Sequence, residues 1–154
     1  MMKLASEVIQ ALAGKTLATA ESCTGGMIGQ LLTGISGAST VYKGGVISYT
    51  NEVKQKVLGV DGEMLANIGP VSAPVAQAMA VGARRVLNTD AAVSVTGLAG
   101  PGGDDFGNPV GTVFVGFDSA AKHEVKEFHF TGDRESVRRQ AAEAALKLVL
   151  ENIQ

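Results

Sequence analysis

Residues 19–26, TAESCTGG, bring a carboxylate, a hydroxyl, a thiol and two glycines together where an apolar strand gives way to a helix. TLATA (16–20) reads as a short buried strand, and GMIGQLLTGI (26–35) sets Met27, Ile28, Leu31, Leu32 and Ile35 on one helical face. Ser22 therefore stands just past the carboxyl end of a strand. Ligands collect at that edge in open α/β sheets. The first N–H groups of the following helix are donors without helical partners, with the positive end of the helix dipole behind them. A nucleophile and a place for an oxyanion fit within one such turn.

The base that would serve Ser22 is constrained by what the chain contains. Its two histidines, His123 and His129, both fall on the last strand pattern, away from any strand-to-helix turn, so a Ser-His-Asp arrangement has no candidate. They also lack carboxylate or cysteine partners at metal-ligand spacing, and no metal site is expected. A lysine held neutral by burial is the usual substitute for the missing imidazole. Lys54 fits that description: Val53 and Val57 share a helix face, and Lys54 pairs with Leu58 at i, i+4 along its apolar edge. The other reading of Lys54 is a surface lysine whose stem lies on apolar neighbours. Tyr49, at the end of the second strand, brings a phenol to the same loop. Cys23 is the competing nucleophile next door, or a small buried hydrophobe.

A second glycine cluster, TGLAGPGGDDFGNPVG (96–111), also follows a strand, and its bare backbone suits a phosphate or a sugar. It has neither the Gly-Lys-Ser/Thr ending of a Walker loop nor the dinucleotide fingerprint. Asp104 and Asp105 read as solvated acids rather than cation ligands. GDRESVRRQ (132–140) opens the last helix with Arg134 and Arg138 at i, i+4. Cations there oppose the helix dipole at a cost of about 0.3–1 kcal/mol. Either they hold an anion such as a phosphate, together with the helix N–H groups, or they form a solvated face paired with Glu135.

These residues need a scaffold, and the composition supplies one. A chain of 154 residues, 45% hydrophobic and 18% charged, suits a single soluble domain with a full core, spanning 1–154. A formal net charge of −2 and no polybasic run argue against a nucleic-acid partner. One cysteine excludes an internal disulfide, and no signal-peptide pattern opens the chain, so a cytoplasmic location is expected. The stretch 22–42 carries no charge, yet its five glycines make it a poor membrane helix.

Apolar runs alternate with helical patterns, the layout of a layered α/β domain. Helices are expected over 2–13, ended by Gly14, and over 26–35. Another is expected from an Asn51 cap through Leu58. A longer one, signalled by Ser72 and Pro74, runs to about Leu87 with Val75, Met79, Ala83 and Val86 inward, and a last one begins near Asp133. That last helix repeats Val137, Ala141, Ala144, Ala145, Leu148 and Val149 on one face. Strands are expected at 16–20, 44–49 and 91–95, and as a hairpin of 110–118 with 123–130, giving a mixed sheet. A polar turn is expected between Leu58 and Ser72. Short apolar helices call for a partner surface, so a homo-oligomer is expected.

TAESCTGG, GGVISYTNEVKQKVLGV, VSVTGLAGPGG with PVGTV, and GDRESVRRQA, in this order and covering about 17–145, together resemble the CinA carboxy-terminal domain family, the nicotinamide-mononucleotide amidases. The resemblance implies a three-layer α/β/α fold on a mixed five-stranded sheet. It implies hydrolysis of the carboxamide of nicotinamide mononucleotide to nicotinate mononucleotide and ammonia, without a cofactor. Mapped by motif, it implies Ser22 as nucleophile, Lys54 as base and Tyr49 beside them. Thr24, Gly25 and Gly26, with Thr96, Gly97, Gly100 and Gly102, would line the substrate site, with Arg134 and Arg138 for the phosphate. Glu21 would position the lysine, bind the ribose or form a local salt bridge. Asn108 departs from the pattern, since such sequences commonly carry lysine before PVGTV. A non-catalytic nucleotide-sensing or partner-binding module on the same fold, and an amidase for another pyridine amide, are the alternatives.

Overall fold

A computed structural model describes residues 1–153. The chain forms α1 (Met2–Ala11), β1 (Leu17–Glu21), α2 (Met27–Thr33), a 3-10 turn (Ala38–Thr40), β2 (Tyr42–Ile47), α3 (Asn51–Lys56) and α4 (Gly62–Asn67). It continues through α5 (Ala73–Leu87), β3 (Ala91–Gly97), β4 (Thr112–Ser119), β5 (His123–His129) and α6 (Arg134–Asn152). One sheet of order β2-β1-β3-β4-β5 results, with β1 parallel to β2 and β3 and an antiparallel β3-β4-β5 half. Helices cover both faces, giving the three-layer mixed architecture that the sequence pattern and the family resemblance imply.

The strands explain the layering. β1 and β3 are buried along nearly their whole length, and their side chains alternate between two cores. Leu17, Val93 and Val95 face α1, α2 and α6, where Val8, Ile28, Leu32, Leu146 and Leu148 complete one core. Ala18, Ala20 and Ala92 face the other side, where Leu58, Leu65, Val75 and Met79 pack. Small residues on that second face let α5 lie close to the sheet. A Cβ at Gly116 would sit 2.7 Å from the Ala76 carbonyl oxygen. The Ser94 hydroxyl donates to that same oxygen at 2.6 Å. In α6, all six residues expected inward are buried, and the Asp133 carboxylate caps the helix by accepting from Ser136 N at 2.9 Å.

Several boundaries differ from expectation, and two of them move the site. β2 ends at Ile47, so Tyr49 lies in a loop beyond the strand and is 60% exposed. Ser48 N still bonds Glu21 O at 2.7 Å, after which the chain turns so that Thr50, not Asn51, caps α3 by accepting from Val53 N. Lys54 and Leu58 are then buried on the inward face while Val57 is 39% exposed, so Lys54 is at the centre of the contact and not at its edge. Residues 62–67 form α4, capped by the Asp61 carboxylate on Glu63 N, where a polar turn was expected. Six residues with one buried position, Leu65, are too few for a period to show. Val86 is exposed, unlike Val75, Met79 and Ala83. Among the described residues no helix is long and apolar enough to cross a membrane.

β1, β2 and β3 run parallel, so their carboxyl ends share one edge of the sheet. The chain leaves β1 for β2 on one side, and β3 lies on the other. The crevice between such divergent connections is the ligand position of an open α/β sheet.

Candidate active site

At that crevice lies a pocket of about 440 Å³, the size of a small-molecule site. Ser22 and Lys54 form its floor. Ser22 follows β1 directly, its N–H anchored on Val95 O at 3.0 Å and its carbonyl accepting from Gly25 N at 3.1 Å. The Lys54 ammonium nitrogen donates to Ser22 Oγ at 3.0 Å, to Ser48 O at 2.8 Å and to Tyr49 O at 3.4 Å. Lys54 is only 2% exposed. Burial lowers its pKa from 10.5 to about 8, since taking the charged form out of water is costly. A neutral amine here keeps two N–H donors for the Ser48 and Tyr49 carbonyls and has its lone pair left for the Ser22 hydroxyl.

Cys23 lines the pocket too, but burial pushes its thiol up to about 11, outweighing the neighbouring positive charges of Arg138 and Lys54. The thiol is therefore protonated at neutral pH.

The turn itself is held from two sides. The buried Glu21 carboxylate accepts from Thr24 Oγ1 (2.6 Å), Gly26 N (3.2 Å), Ile28 N (2.9 Å) and Gly29 N (3.0 Å), so it closes the amino end of α2. Arg138 reaches from α6, with Nε donating to Cys23 O at 2.9 Å and Nη2 to Thr24 O at 3.1 Å. Gly25 has φ +61, a conformation that costs glycine nothing, and a Cβ there would press on the Arg138 guanidinium at 3.4 Å.

Four residues expected to meet the substrate therefore have other occupations. Glu21, Thr24, Gly25 and Gly26 do not line the pocket but shape the turn beneath it. Arg138 also lies outside the pocket, with both of its turn-facing groups engaged. Thr96, Gly97, Gly100 and Gly102 do line it, although the Thr96 hydroxyl is committed to Pro70 O at 2.7 Å. Arg134 stands at the mouth, donating to Gly100 O at 2.6 Å and to the Tyr49 hydroxyl at 3.3 Å. Tyr49 thus contributes its carbonyl to Lys54 and its phenol to Arg134. Asn51, Pro70 and Val71 complete the walls. The sequence reading missed these three: Asn51 reads as a helix cap, and Pro70 and Val71 fall within the polar turn expected before α5. His123 and His129 lie on the edge strand β5, where His129 pairs with Glu127 at 2.7 Å.

Comparison with known proteins gives this geometry its context. The CinA C-terminal domain family model matches residues 1–153. The nicotinamide-nucleotide amidohydrolase PncC of Escherichia coli K12 is 44% identical over 150 residues, which cover 96% of this chain and 91% of that protein. A CinA-like protein of Geobacter sulfurreducens is 47% identical over 133 residues, but the chain spans only 32% of its length. Among solved structures, the competence/damage inducible protein CihA of Agrobacterium tumefaciens superposes with a TM-score of 0.96 at 36% identity, over 99% of this chain and 95% of that one. A match to the family model over residues 1–153 places the chain in the CinA C-terminal domain family.

Proposed function

We propose that the chain hydrolyses the carboxamide of nicotinamide mononucleotide to nicotinate mononucleotide and ammonia, with Ser22 as nucleophile and Lys54 as general base. The observation that carries this reading is the buried Lys54 amine 3.0 Å from Ser22 Oγ on the floor of an open pocket. The similarity to PncC supplies the substrate class.

Neutral Lys54 takes the Ser22 proton as Oγ attacks the carboxamide carbon. The Cys23 N–H makes no hydrogen bond to another residue among those described, and Cys23 lines the pocket, so this N–H receives the developing oxyanion. Gly26 N, engaged by Glu21, is not available for this. Protonated Lys54 returns its proton to the amide nitrogen, the C–N bond breaks and ammonia leaves. Water then gives a proton to Lys54 and attacks the acyl carbon. The ester bond to Ser22 breaks, Lys54 returns the proton to Oγ, and the carboxylate product departs. The proton moves directly between Ser22 and Lys54, because the Tyr49 hydroxyl is turned to Arg134. No cofactor takes part.

The test is direct: purified protein is expected to release ammonia from nicotinamide mononucleotide with no added metal and at a rate that chelator leaves unchanged. Tight nucleotide binding without turnover would support the sensing module instead, and turnover of a different pyridine amide would reassign the substrate.

The same reading divides the two arginines. Arg134, at the mouth and exposed, holds the 5′-phosphate, while Arg138 holds the turn. Arg134→Ala is expected to raise KM for the mononucleotide by about ten- to a hundredfold, the range for a lost charge-assisted contact, and to change the riboside little. Arg138→Ala is expected to lower kcat for both. Equal KM losses on the two substrates in Arg134→Ala would remove the phosphate role.

A further inference from the structure

The glycine-rich loop after β3 is tied to the opposite pocket wall by a residue that the chemistry above does not use. Asn108 Nδ2 donates to Asp104 Oδ2 at 2.7 Å and to Val71 O at 3.2 Å. The Asn108 and Phe106 backbone N–H groups both donate to Asp104 Oδ1 at 3.0 Å. Asp104 thus closes the 104–108 turn, and Asn108 fastens that closed turn to the segment before α5. The Phe106 ring lies over Gly69, where a Cβ would meet it at 2.7 Å. Thr96 adds a parallel tie to Pro70 O. Pro70 and Val71 form one wall of the pocket and Leu98 to Pro101 another, so these ties set the gap that a planar ring must enter.

We propose that Asn108 is a positioning residue for substrate binding: its amide bridges Asp104 and Val71 and so fixes the spacing of the two apolar walls above Ser22. The proposal rests on the amidase reading for its kinetic consequence, but its structural consequence stands alone. An amide suits the position because it can donate both N–H groups, one to the carboxylate and one to the carbonyl. Aspartate has no N–H to offer and would set a second negative charge against Asp104. Alanine would leave the Val71 carbonyl without this donor while keeping the backbone bonds to Asp104.

The experiment compares the parent with Asn108→Ala and Asn108→Asp, by amide hydrogen exchange in the free protein and by steady-state kinetics on nicotinamide mononucleotide. Exchange is expected to quicken in peptides spanning 68–72 and 104–111 in both variants, and to stay unchanged in α6. KM is expected to rise about five- to tenfold in Asn108→Ala, the effect of one lost hydrogen bond, and further in Asn108→Asp, with kcat within about twofold of the parent. Unchanged exchange at 68–72 would overturn the bridge, and so would a fall in kcat at constant KM. If the parent itself fails to turn over the mononucleotide, the amidase reading falls while the exchange data still decide the role of Asn108.

Discussion

Ser22→Ala is expected to abolish ammonia release, by at least about 10⁴-fold in kcat, because a nucleophile and its base act as one unit whose loss is not shared out among neighbours. Cys23→Ala, one position away, is expected to stay within about threefold of the parent, as a buried sulfur that packs without reacting. The contrast follows from the two environments. Burial pushes the Cys23 thiol up to about 11, so on the order of one molecule in 10⁴ carries a thiolate at pH 7. In the proposed mechanism the Ser22 hydroxyl needs no prior ionisation, since the Lys54 amine, 3.0 Å away, takes the proton as attack occurs. The measurement is kcat of both variants, with thiol alkylation as a control. Inactivation by alkylation that Cys23→Ala reproduces would overturn the assignment of Ser22.

Lys54 carries the second large effect. Lys54→Ala and Lys54→Arg are both expected to lose about 10²–10⁴-fold in kcat, the usual contribution of a positioned general base. Arginine keeps the charge but does not give up its proton. A Lys54→Arg variant with near-normal kcat would leave Lys54 as an electrostatic anchor only. In the parent, kcat/KM is expected to rise with pH and level off above about 8, where the amine is neutral in the folded free enzyme.

Stability follows the same proton. The folded pKa of about 8 lies below the ordinary 10.5, so between these values the unfolded chain binds more protons and stability rises with pH. Below about 8 both states hold the proton, and the cost of the buried ammonium is fully present. Thermal unfolding is therefore expected to show Tm rising more from pH 8 to 10 in the parent than in Lys54→Met, which has no proton to lose. Parallel Tm profiles would show that burial does not perturb the lysine.

The class of fold is legible in the chain's residue pattern, and Ser22 and Lys54 stand out in it as a candidate pair. Period-2 and period-3.6 patterns mark five strands and the long helices because burial on one or two faces writes itself into spacing. The lack of a well-placed histidine makes Lys54 a candidate base, and the motif order points to the family to which the chain belongs, a resemblance that implies Ser22 with Lys54. Cap chemistry was legible where the capping side chain is local, as at Asp133, and less so at α3, where Thr50 and Asn51 both suit and only the end of β2 decides between them. Which polar group faces the pocket depends instead on packing between elements far apart in the chain. Glu21 and Arg138 read as substrate contacts because they flank Ser22 in the sequence or share a motif with Arg134. Yet their partners are backbone groups of the turn, one set supplied by the amino end of α2 and the other reached across 115 positions from α6. Asn51, Pro70 and Val71 line the pocket only because β2, α5 and the glycine loop converge there. A side chain's direction depends on which element packs against it, and packing joins residues whose separation along the chain carries no periodic signal.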